Sequence, residues 1–131
     1  MKLNGQAIVF VPDGGKEAEG IARTTHLAIS AHEDDIEFMA YAPIAECFGK
    51  TDKWFGGVVV TDGAGSPRRG LYADYTDEQM KTASVGEYGF LALLGHPSSQ
   101  VKNPADRDII AELAEIIRAA KPKYIYAQSC G

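Results

Sequence analysis

The sequence predicts an α/β layered fold built on a mostly parallel sheet. Three observations carry that expectation. Short apolar or β-branched runs alternate with segments of helical period along the chain, the arrangement that builds parallel sheets covered by helices. Gly- and Pro-rich turns separate these segments, with no repeat, low-complexity tract or linker among them. The length of 131 residues suits one domain, 1–131, and leaves no room for two independent cores.

The elements follow in order. Ala7–Val11 is a brief apolar run ended by the turn cluster Pro12-Asp13-Gly14-Gly15. His26–Ser30 (HLAIS) reads as a short buried strand. After Asp34 the period changes, and Ile36, Met39, Ala40, Ile44 and Cys47 fall near helical spacing. Pro43 should kink or end that helix around Ala42, because its ring blocks the preceding turn. Trp54–Thr61 (WFGGVVVT) is aromatic and β-branched, hence a strand, and Asp62-Gly63-Ala64-Gly65 terminates it. Thr76-Asp77-Glu78-Gln79 resembles an N-cap with an acidic first turn, so a helix is expected to start there. Asn103 can cap the last helix and Pro104 fits its first position, while Ile109, Ile110, Leu113, Ile116 and Ile117 are expected to form one apolar face. Lys121-Pro122 stops that helix, and Tyr124–Ala127 begins another strand.

Composition narrows function by exclusion. Thirteen Lys and Arg against 18 Asp and Glu leave a formal net charge of −5, which argues against nucleic-acid or anionic-membrane partners. No apolar run approaches the roughly 20 residues of a membrane span. Met1–Val11 is too short and too soon interrupted for a secretory leader. Cys47 and Cys130 stand far apart and read as free thiols, so a cytoplasmic setting is expected.

Chemistry concentrates in one loop. Glu33, Asp34, Asp35 and Glu37 crowd together directly after His32. Acidic residues also gather at helix starts simply because the macrodipole stabilises them, by about 0.3–1 kcal/mol each. Here the segment follows an apolar strand, at the sheet end where α/β ligand sites form. His32 and Asp35 are spaced to reach one cation within a turn, and zinc takes such nitrogen and oxygen ligands. Asp34, left uncoordinated beside the cation, is placed to accept a proton from water.

Other candidates are weaker. His26 lies inside an apolar strand pattern and His96 precedes a proline, so packing or surface roles are expected for both. The Gly63/Gly65 loop fails the dinucleotide fingerprint because Arg68 takes the third glycine position. Asp62, Gly63 and Arg68 remain as candidates for lining a substrate crevice.

Ala31-His32-Glu33-Asp34-Asp35-Ile36-Glu37 resembles the AHxDD motif of the LmbE-like, or PIG-L, N-acetylglucosaminyl deacetylases. Val60-Thr61-Asp62-Gly63 is similar to that family's TDG segment, and Leu94-Gly95-His96-Pro97 and Lys121-Pro122-Lys123-Tyr124 follow in the family's order. The resemblance covers Leu27 to Gln128, most of the chain, which makes 26–128 the family-like region and 1–25 an N-terminal extension. It implies a Rossmann-like fold and a hydrolase that uses Zn2+ or another divalent cation. His32 and Asp35 match the metal ligands and Asp34 the general base. The implied substrate is a small-molecule N-acyl amino sugar or related N-acyl amine, cleaved to an amine and a carboxylate.

Two departures accompany it. Family members continue past the last strand into a His-rich segment that supplies a third ligand, whereas this sequence stops at Gln128-Ser129-Cys130-Gly131. The family's helical Arg-x-x-Glu pattern is replaced by Lys81-Thr82-Ala83-Ser84. Relative to the family the chain thus reads as truncated at the C-terminus and shortened internally. The alternative expectation is a catalytically inactive LmbE-like interaction or oligomerisation module. An uncovered sheet edge in such a shortened fold favours a homo-oligomer.

Overall fold

The structure is a computed structural model and describes residues 3, 7–30, 41–61, 72–96 and 107–127, with side chains described for all of these except 61 and 72–78. Among the described residues five strands, β1 (Ile8–Phe10), β2 (His26–Ser30), β3 (Phe55–Thr61), β4 (Phe90–His96) and β5 (Tyr124–Ala127), form one sheet of order β1-β4-β3-β2-β5. β2, β3, β4 and β5 run parallel, and β1 closes one edge antiparallel to β4. Among the described residues four helices accompany the sheet: α1 (Glu17–Ala22), α2 (Tyr41–Cys47), α3 (Tyr72–Val85) and α4 (Arg107–Ala120). The expected α/β class with a mostly parallel sheet is therefore observed.

Alternation along the strands sorts the core into two layers. Leu27, Val58, Val60, Phe90, Ala92 and Leu94 point to one face, where Ile21 of α1 and Ile109 and Ile116 of α4 cover them. Ala28, Val59, Leu91 and Leu93 point to the other, against Cys47 of α2 and Ala83 of α3. β4 is buried along its whole length, as a central strand covered on both faces must be. At Gly56 a side chain is excluded: a Cβ there would run into the Phe90 ring and the Thr24 Cγ2.

Several local expectations need correction. Pro43 does not end its helix, since α2 runs from Tyr41 through it to Cys47 and proline's fixed φ is helix-compatible; the preceding turn, where its ring would act, lies outside the described residues. α3 runs from Tyr72, so Thr76 lies inside it and not at its start; threonine costs an inner turn no more than about 0.7 kcal/mol. On α4 the expected face of Ile109, Leu113, Ile116 and Ile117 does pack on the core, but Ile110 is 56% exposed and Glu112 is buried beside them. Two elements, α1 and β4, carry no local signal. The six residues of α1 are too few to show a period, and the unbroken apolar run of β4 fits strand or helix equally. Asn103 and Pro104 lie outside the described residues, as does Cys130, while Cys47 is a buried free thiol.

The helix ends are fastened locally. Lys121 takes a left-handed φ of 47° and its N–H donates to the Ile117 carbonyl at 2.8 Å, which stops α4 before Pro122. At the base of the sheet, Arg23 donates to Asp13 at 2.7 Å and stacks on Trp54, its guanidinium carbon 3.8 Å from the ring centroid. That hydrogen bond, reinforced by the Gly15 N–H, holds the Asp13 carboxyl below its usual range.

Candidate functional site

The order of the parallel strands decides where a ligand crevice can form. From β2 the chain steps to β3 and then to β4 in one direction, and α4 carries it back across the sheet to β5 on the far side of β2. The reversal falls between β2 and β5. In open α/β sheets the crevice lies beyond the carboxyl ends of the strands at such a reversal, because the loops on either side diverge to opposite faces.

Ser30, fully buried, is the last residue of β2, and Thr61 ends the adjacent strand β3. The segment holding His32, Asp34 and Asp35 and the segment holding Asp62, Gly63 and Arg68 leave directly from these two neighbouring strand ends. Those six residues themselves lie outside the described residues.

The other two histidines are placed in full, and neither stands at the end of β2. His26 opens β2, four residues before Ser30 and about 13 Å away at strand rise. It is 2% exposed, so the expected buried strand position holds. His96 ends β4, beside Thr61 of β3, and is 6% exposed. Its Nε2 is in close contact with the Glu112 carboxylate of α4, which is equally buried. Glu112 stands on the apolar stripe between Ile109 and Ile116, and the alternation of β4 turns His96 toward that stripe with Phe90, Ala92 and Leu94. A carboxylate and an imidazole thus meet beside an apolar layer at the carboxyl end of the sheet.

This pair was not foreseen from the sequence. The available signal was the i, i+3, i+7 spacing of Ile109, Glu112 and Ile116, which puts an acidic residue on the buried face. Among the described residues no three His, Cys, Asp or Glu side chains gather as a metal-binding group. Also among the described residues, no helix is long and apolar enough to cross a membrane. Comparison with family models, with curated proteins and with solved structures finds no match for this chain.

Proposed function

We propose that the chain is a zinc-dependent hydrolase of the LmbE-like deacetylase type, acting in the cytoplasm on an N-acyl amino sugar or related N-acyl amine. One observation carries this. The segment Ala31–Glu37, which holds His32, follows in sequence the last residue of β2, the strand beside which the sheet order reverses. The donor chemistry suits a divalent cation, with one imidazole from His32 and one carboxylate from Asp35. When bound, zinc polarises an amide carbonyl and lowers the pKa of water to about 7. Asp34 takes the proton from the attacking water and delivers it to the departing nitrogen. The amide C–N bond breaks, the water oxygen stays on the acyl carbon, and an amine and a carboxylate leave. Asp62, Gly63 and Arg68, which follow the neighbouring strand in sequence, are assigned to the substrate side.

Metal analysis of the purified chain tests the ligand assignment. The unmodified chain should carry zinc, and His32→Ala and Asp35→Ala should each lose most of it. Zinc content unchanged in both variants would remove the site.

The second reading, an inactive self-associating module, draws on β5. Among the described residues this strand is a sheet edge, and Tyr124 and Ile125 on it are 46% and 48% exposed. Open strand edges pair readily with a second copy. Light scattering at micromolar concentration should then give at least a dimer mass, and a monomer mass across that range would dismiss the module.

A further inference from the structure

Backbone polarity decides what the outer side of β5 can bind. In a strand with parallel neighbours, the N–H and C=O of one residue point to one side and those of the next residue to the other. The Tyr124 N–H donates to the Thr25 carbonyl at 3.0 Å, so Tyr124 and Tyr126 turn their backbone groups to β2. Those of Ile125 and Ala127 point outward, with no strand beyond them among the described residues. Backbone groups in such a row are matched by another strand.

The edge lacks the devices that keep strands apart. Tyr124-Ile125-Tyr126-Ala127 holds no charge and no proline, and its pairing with β2 runs without a bulge from Tyr124 to Ala127. Tyr124, Ile125 and Ala127 are all exposed.

Helix α4 extends this surface. Ile125 and Ala127 pair with Leu27 and Ile29, which places their side chains on the face covered by α1 and α4. In a right-handed β4–α4–β5 crossover, the flank of α4 carrying Leu113, Ile117 and Ile110 turns toward the β5 edge. Leu113 and Ile117 are half-buried and Ile110 is exposed. An apolar step thus runs from the helix flank to the strand edge.

A second copy of this chain matches strand and helix together. With β5 antiparallel to its counterpart about a two-fold axis at Ile125, the two Ile125 residues exchange both outward backbone groups. On one face Tyr124 then stands opposite Tyr126 of the partner subunit, giving two cross-strand aromatic pairs. On the other face the two Ile125 side chains and the two α4 flanks come together. Lys123 falls opposite Ala127 of the partner subunit, so like charges do not meet across the strands.

We infer that two copies of this chain join edge to edge through β5, antiparallel about Ile125, into one continuous sheet with their α4 helices side by side. The dimer rests on the self-association read from the β5 edge and is compatible with hydrolysis as well as with its absence.

Light scattering of the full chain at micromolar concentration tests it. The unmodified chain should give a dimer mass, and Ile125→Lys and Ile110→Lys should each raise the dimer dissociation constant at least about tenfold. Both positions are exposed, so the urea midpoint of each variant, measured as monomer, should match that of diluted, monomeric unmodified chain. Ile125→Pro deletes an outward N–H, keeps the Tyr124 and Tyr126 bonds to β2, and should give a monomer. Val85→Lys, exposed at the end of α3 on the opposite face, should dimerise as the unmodified chain does. A monomer mass for the unmodified chain overturns self-association and this interface together. A dimer that survives the Ile125 and Ile110 variants leaves self-association standing and overturns the β5 interface. Dissociation by Val85→Lys as strong as by Ile125→Lys overturns it equally.

Discussion

Glu112→Ala should destabilise the chain by about 3–5 kcal/mol, read as a fall in the urea midpoint at unchanged slope. The His96 and Glu112 side chains are 8% and 7% exposed, so neither has water to turn to. Leu94, Ile109 and Ile116 belong to the same layer. Removing the carboxylate leaves an imidazole buried against the α4 stripe with this partner gone and a void beside it. Against the 5–15 kcal/mol of a typical domain, such a loss takes a large share of total stability. Glu112→Gln keeps an acceptor of similar size and should cost about 1–2 kcal/mol. A double-mutant cycle with His96→Leu should return a coupling of at least about 1 kcal/mol. Additive losses, with no coupling, would show that the two side chains do not depend on each other. An apolar pair of similar volume would pack at least as well. The ionisable pair is therefore not explained by packing alone, and it sits where the parallel strands end.

The second large effect is chemical. Asp34→Asn should reduce release of free amine from N-acetylglucosamine-type substrates by about 10²–10⁴-fold, the usual contribution of a positioned general base. Zinc content should stay at the level of the unmodified chain, because Asp34 is assigned to the proton and not to the cation. That split separates it from His32→Ala and Asp35→Ala, which should lose metal and activity together. Full activity in Asp34→Asn would remove it as the base. If the unmodified chain binds zinc yet releases amine only at background, the inactive module replaces the enzyme.

Much of the fold was legible because its signals are local. β2 and β3 announce themselves by β-branched and apolar runs, and α4 by its isoleucines and its stop at Lys121-Pro122. β4 was not legible, since five apolar residues in a row, Phe90 to Leu94, have no period to distinguish strand from helix. The stripe of α4 was misjudged by one position. Ile110 looked like core, but packing against β4 turned Glu112 inward in its place. A polar residue on a buried face is read as surface until its partner is known, and His96 is 16 residues away.

The sequence by itself determined the alternation of strand and helix, hence an α/β domain, and it marked the loop of His32, Asp34 and Asp35 as the place where chemistry gathers. Those properties depend on residues within a few positions of one another. Only the tertiary structure decided that β5 returns to the far side of β2, which puts the reversal of strand order at the strand preceding that loop. It also decided that His96 faces Glu112, and that His26 stands buried at the other end of the sheet. Strand order and burial are set by which apolar surfaces meet across the whole chain, and local periodicity carries no record of those partners.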